Sequence, residues 1–222
     1  MAIAMSILGL MLGGGILAMT AVLDKAAHDK TLSNMDKIET ALLVYVLAND
    51  SLPCPDTDYD GNENAGCTGT AARGIVPYRT VGLQRDEASD GFNRFISYAV
   101  DVTYTAASSL QCGTTAFAGL DGLLQIRDST DAYPQNEAAG GYALIYHGKN
   151  GLGAVMNSGV VYGRSPVVGT QPAEHQNSLL AATNLDRFYS EPLTASPNVG
   201  FDDVIRAKAP ARILYDAGCT SG

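Results

Sequence analysis

MAIAMSILGLMLGGGILAMTAVL, residues 1–23, carries no charged side chain, and the chain turns polar at once in DKAAHDKTLSNMDK, residues 24–37. Twenty-three helical residues rise roughly 35 Å at 1.5 Å each, enough to cross a hydrocarbon core of about 30 Å. No Lys or Arg stands ahead of the apolar run, as it would in a secretory signal peptide, so a retained membrane helix is the expectation. Gly9, Gly13, Gly14 and Gly15 interrupt that helix with small residues. They permit close approach of a second apolar helix, or local unwinding, because interior glycine weakens a helix by up to about 1 kcal/mol.

Helical patterning does not stop at Leu23. Residues 24–49 contain neither Pro nor Gly, and Leu32, Met35, Ile38, Leu42, Tyr45 and the adjacent Leu43 and Val46 recur at helical spacing, which predicts one amphipathic stripe. The helix is expected to run to Asp50 and to end before Pro53, which disfavours helical backbone at Leu52. The organisation that follows is an apolar helix at 1–23, its amphipathic continuation at 24–52 and a globular head at 53–222. An α+β fold is expected, with the amphipathic half of the helix laid on an antiparallel sheet, since each element must bury one face.

The chain has 14 Lys and Arg against 23 Asp and Glu, a net charge of −9. Such a surface repels phosphate backbones, and dedicated nucleic-acid binding is not expected. Cys54, Cys67, Cys112 and Cys219 include no C-x-x-C pair, so zinc and thioredoxin-like spacings are absent and disulfides formed outside the cytoplasm are expected. Cys54 with Cys67 and Cys112 with Cys219 is the favoured pairing, although four cysteines allow three connectivities. In LPCPDTDYDGNENAGC, Asp56, Asp58, Asp60 and Gly61 occupy the first, third, fifth and sixth positions of a calcium loop. The twelfth position holds Cys67 in place of a bidentate glutamate, which points to an acidic turn or a weak calcium site rather than an EF-hand.

The apolar run MAIAMSILGLMLGGGI, with Gly9 at the characteristic glycine, and its amphipathic continuation resemble the N-terminal helix of type IV pilins and of the pseudopilins of type II secretion. In that alignment the family's processing motif, a glycine followed by Phe-Thr-Leu-x-Glu, would end immediately before Met1, so an incomplete N-terminus is expected. The family's usual helix proline is absent, and Gly13 to Gly15 could supply local melting instead. The head adds LPCPD, GIVPYRTVGL, SDGFNRFISYAVD, YALIYHGKNGLGA and NVGFDDVIR in the order of a pilin group with L-P-C-P-D, P-Y-x-x-x-G-L and F-D-D segments. Asp90, Gly91, Phe92 and Asn93 stand where that group carries D-x-W-G-N. The resemblance implies a homopolymer of identical subunits. Each waits in the inner membrane and is assembled by a membrane platform and a cytoplasmic ATPase into a surface filament or a periplasm-spanning pseudopilus.

All but four of the 24 glycines follow Asp50, so the head reads as turn-rich, with candidate strands at 95–102, 123–127, 142–147, 160–162 and 201–206. Nucleophile-elbow, zincin and P-loop motifs are missing. His28, His147 and His175 have no evident partners in sequence and are read as structural, and Asp202 and Asp203 as turn or salt-bridge residues. No cofactor other than a possible Ca²⁺ and no enzymatic activity are expected. The alternative is a monomeric, membrane-tethered periplasmic binding or enzymatic domain, which would need a hinge near residue 24 and a pocket of convergent polar groups.

Overall fold

The computed structural model describes residues 2–69, 71–113, 122–127, 140–160, 176–178, 186–190 and 201–219, with the side chains of 2–18 left out. Helix α1 spans Ala2–Asn49 as one uninterrupted element, and it stays helical through Gly13–Gly15. It stops at Asp50, one residue short of expectation, because Asp50 takes a left-handed backbone at φ 54°. Its amide still caps the helix by donating to Val46 O at 2.8 Å. Among the described residues no helix is long and apolar enough to cross a membrane; the side chains of 2–18, on which that expectation chiefly rests, lie outside them.

The stripe read from the sequence faces inward. Thr31, Met35, Ile38, Leu42 and Val46 are buried, and the four apolar members together contribute roughly 6–12 kcal/mol of transfer free energy as an upper bound. They pack against a four-stranded antiparallel sheet ordered β1 (Ala71–Ile75), β3 (Ser97–Asp101), β5 (Tyr142–Tyr146) and β8 (Val204–Lys208). The period of two along each strand sorts the residues into layers. Tyr98, Val100, Tyr142, Leu144 and Tyr146 join the helix side, while Ala99, Ala143 and Ile145 join Leu124, Ile126 and Phe188 behind the sheet. The head is therefore α+β with both faces of its central strands covered, which is why β3 and β5 are buried at every position.

Behind the sheet, β4 (Gln125–Arg127) pairs in parallel with β7 (Arg187–Tyr189), a departure from the all-antiparallel expectation. Arg73 reaches through from β1 to fix this layer. Its guanidinium donates to Gln176 O at 2.6 Å and Arg187 O at 2.7 Å and lies 4.1 Å over the Phe188 ring. Burial there pushes its pKa down to about 10. The single run expected at 95–102 divides at Ile96 into β2 (Arg94–Phe95), which pairs with β6 (Val155–Met156), and β3. The strand expected at 201–206 begins three residues later, at Val204, and Val160 is not in a strand, while 161 and 162 lie outside the described residues. A short helix absent from the sequence reading, α2 (Pro210–Asp216), closes the chain with proline in its first turn, where no amide partner is lost.

Candidate functional site

The favoured cysteine pairing is the one present: Cys54 bonds Cys67 and Cys112 bonds Cys219. The first bridge closes the acidic loop and the second ties the end of α2 to the segment after β3. The loop is also clipped to the helix. Glu63 accepts from Tyr45 Oη at 3.1 Å and from the Cys54 amide at 3.0 Å, and Tyr98 Oη donates to Pro53 O at 3.0 Å. Burial, with the Glu63 carboxylate beside it, pushes the Tyr45 phenol up to about 12.

Asp56, Asp58 and Asp60 bring carboxylate oxygens within 4.8 Å of one another, as the calcium-loop spacing requires. They are not equivalent. Asp56 is buried, and its carboxylate accepts from the amides of Asp58 at 3.1 Å, Tyr59 at 2.7 Å and Gly61 at 2.7 Å. Asp60 in turn accepts from Asn62 at 2.7 Å. Three amides therefore set the loop's curvature. What remains toward solvent is mainly Asp58 and Asp60, short of the six to eight oxygens that calcium gathers. The three carboxylates could hold a cation only together with further oxygens, while the contacts of Asp56 and Asp60 to backbone amides shape the turn. Desolvation raises the Asp56 pKa in spite of those amides, and the neighbouring Asp58 adds to it.

Where the helix meets the head, the aberrant turn Asp90–Asn93 does the joining. Gly91 lies so close to α1 that a Cβ there would stand 2.1 Å from Ala27 O. Its amide donates to Thr31 Oγ1 at 2.9 Å, and Asn34 Nδ2 donates to Asp86 O and Ser89 O, each at 2.8 Å. Asp90 and Arg94 beneath the turn form a buried ion pair at 2.7 Å. Arg94 also donates to Gly148 O, so the pair locks the 90–94 turn to the turn after β5. Lys149 in that second turn reaches Asp24 at 2.5 Å. Gly91 and Arg94 thus hold the corner where α1 meets the head.

The histidine reading divides three ways. His28 is half-buried with its ring 5.8 Å from that of Tyr146, and His175 lies outside the described residues. His147, just past the end of β5, is fully buried. Its Nε2 is 2.8 Å from Ser97 Oγ, and its Nδ1 is 3.7 Å from Asp203 Oδ1, beyond hydrogen-bond reach. A hydroxyl, an imidazole and a carboxylate in this order have the outline of a nucleophilic triad. Yet Ser97, His147 and Asp203 are 0 %, 1 % and 3 % exposed, which leaves a substrate no approach to Oγ. Burial, with the positive charges of Arg94 and Arg73 adding to it, pushes the imidazole down to about 3, so a neutral ring ties β3 to the chain entering β8. Asp203 accepts from Asn177 Nδ2 at 2.9 Å, while Asp202 accepts from the Asn150 amide at 3.0 Å and shapes the 148–151 turn. Asp202 matches the turn reading, whereas Asp203 holds the Asn177 side-chain amide instead.

The outward side of α1 is a different surface. Val44 and Leu47 are 60 % and 56 % exposed, and an open groove of about 490 Å³ runs between Lys37, Ala41 and Val44 of α1 and Val81, Leu83 and Glu87 of the facing turn. Sequence reasoning passed over it. Its signal was two large apolar residues on the helix face opposite the stripe. Gly9, Gly13, Gly14 and Gly15 have helical backbone, and their packing lies outside the described side chains. No family model, no curated protein and no solved structure matches this chain.

Proposed function

We propose that this chain is the structural subunit of a type IV pilus or pilus-like filament. It is held in the inner membrane by residues 1–23 before assembly and polymerises through that helix, with its acidic head outside. The observation that carries the reading is the division of one 48-residue helix into unlike halves. Among the described residues, α1 is joined to the head by polar contacts from Asp24 onward, whereas Met19, Val22 and Leu23 at the end of the uncharged run are 57–67 % exposed. A helix so divided needs a second apolar environment. Lipid supplies it to a single subunit and neighbouring helices supply it in a polymer, where small residues such as Gly9 and Gly13 allow close packing.

The tethered-domain alternative is the weaker reading, because a tether calls for a hinge near residue 24. The helix passes through that point without a break, and Asp24 is itself bridged to the head. The buried Ser97–His147–Asp203 set offers that alternative no open site either. The subunit turns over no substrate in this reading. Its partners are copies of itself and, by the pilin resemblance, an assembly platform and ATPase. Electron microscopy of material sheared from cells, with mass spectrometry of its subunit, tests the proposal: filaments built of this chain are expected, and recovery only as a membrane-bound monomer would refute it.

A further inference from the structure

Two turns form the end of the head nearest the uncharged run. In the turn after β5, Lys149 Nζ stands 2.5 Å from a carboxylate oxygen of Asp24, the first charged residue after that run. In the 90–94 turn, Gly91 lies against the backbone of Ala27, three residues and so about 4.5 Å farther along the axis. Both turns are fixed to α1 and to each other. The Gly91 amide donates to Thr31 Oγ1, Arg94 donates to Gly148 O and so joins the two turns, and Asp202 holds the Asn150 amide. The helix passes from the uncharged run to these contacts without a break, so the head begins where the run ends. Met19, Val22 and Leu23, just short of the Asp24 bridge, are 57–67 % exposed, and the head leaves them uncovered.

We infer that the 90–94 turn and the turn after β5 rest in the headgroup layer of the bilayer before assembly, as a lipid-contact surface of the head itself. The inference rests on the membrane-anchored reading of residues 1–23 and deepens it by fixing the height at which the head sits. A charged Asp24 resists entry into hydrocarbon, whereas Leu23 and the run before it seek it, so the hydrocarbon boundary falls at this point of α1. The headgroup region adds roughly 5–8 Å on each side of the hydrocarbon core, and the contact points at Asp24 and Ala27 both lie within that depth. The chemistry suits a zwitterionic surface. Lys25, Lys30 and Lys149 are each paired with a carboxylate, on Asp29, Asp86 and Asp24, so the contact is not a basic patch that requires anionic lipid. Phe92 in the 90–94 turn is half-buried, which leaves apolar surface at the depth where aromatic rings settle.

With both disulfides formed the chain has no free thiol, so one introduced cysteine carries a fluorophore at a chosen height. Val22→Cys, Lys149→Cys and Asp58→Cys are made singly in the full chain, reconstituted in phosphatidylcholine vesicles and read for quenching by a lipid with a nitroxide on its headgroup. The Asp58 loop is clipped to α1 at Tyr45 through Glu63, about 30 Å farther along the axis than Asp24. Quenching at Val22 and Lys149 is expected to be similar, and about fivefold or more above that at Asp58. Quenching at Val22 with Lys149 as low as Asp58 overturns the contact and leaves the anchor standing, whereas no quenching at Val22 sinks the membrane reading itself. Lys149→Cys also removes the bridge to Asp24, an exposed pair of small worth. Should that variant lose its fold by circular dichroism, Leu152→Cys carries the label nearby, where the bond to Asn150 Oδ1 is made by the backbone amide, and the same outcomes decide. Quenching at Lys149 that appears only with anionic lipid would likewise overturn the zwitterionic contact.

Discussion

Gly91→Ala is the substitution that most directly tests how the head is seated on its helix. The backbone at Gly91 is not left-handed, so alanine suffers no local conformational strain there. The obstacle is steric. The new Cβ would stand 2.1 Å from Ala27 O, 2.4 Å from Ala27 Cα and 2.5 Å from Ala27 C. All three atoms are helix backbone and cannot rotate away. To restore ordinary contact near 3.4 Å, α1 and the 90–94 turn must separate by about 1 Å, as overpacked cores do. That movement stretches the Gly91 amide bond to Thr31 and the two bonds from Asn34. Overpacking costs about 1–3 kcal/mol and a buried amide left without its partner about 1–3 kcal/mol more, so a total of roughly 2–6 kcal/mol is expected. For a chain of this size that corresponds to a fall in Tm of about 5–15 °C. Circular dichroism melts of the full chain in detergent measure it, with Gly82→Ala as the comparison. Gly82 is left-handed at φ 78° but has open space around it, so its variant carries conformational strain alone, about 1 kcal/mol. If Gly91→Ala melts within 2 °C of wild type, or no lower than Gly82→Ala, the helix does not pack on this turn as described.

His147 makes stability depend on pH. Its folded-state pKa, about 3, lies below the ordinary 6.5, so the unfolded chain binds the extra proton between those values. Stability is full above about 6.5 and falls with decreasing pH by up to about 1.4 kcal/mol per unit. Urea melts between pH 7 and 5.5, where carboxylates stay largely ionised, are expected to show this slope and to lose it in His147→Gln; an equal slope in both proteins would assign the proton elsewhere. Asp56→Ala removes the acceptor of three loop amides and is expected to cost about 2–3 kcal/mol. The melting temperature of the wild type should be the same in millimolar calcium and in chelator, and a rise with calcium would show that the loop holds the ion after all. Replacing Cys112 and Cys219 by Ser opens a bridge of sequence separation 107, worth about 3–5 kcal/mol. The variant should expose α2 to protease at concentrations that leave the wild type intact, and equal resistance would mean that α2 is held by its apolar contacts alone.

Much of the architecture was legible because it is local. The uncharged run and the apolar segment Tyr142–Tyr146 are continuous in sequence, and the stripe from Leu32 to Val46 is written at a period of 3.6, from which burial of one helix face follows. The cysteine pairing was favoured on sequence by the short 54–67 loop and by the tie that 112–219 gives the C-terminal tail. Other features have no local signature. AARGI at 71–75 shows no strand pattern, and it becomes the sheet edge because β3 offers it a ladder and because Gly74 lacks the Cβ that would meet Asp56 O at 2.3 Å. Strand β7 is three residues long and exists only against β4, far away in sequence.

The candidate surfaces divide along the same line. The acidic spacing of Asp56, Asp58 and Asp60 was visible, but whether those carboxylates face a cation or their own backbone depends on how the loop closes, and it closes around Asp56. The D-G-F-N turn looked like a departure from a pattern until α1 lay across it, where only glycine fits against Ala27. His147 looked unpartnered until the sheet brought Ser97 within 2.8 Å of its ring. The sequence by itself determined one long helix of two unlike halves and a disulfide-tied, turn-rich head, since composition and periodicity act within a few residues. Only the tertiary structure decided which flank of that helix stays open, because that is set by what the folded chain has left on either side.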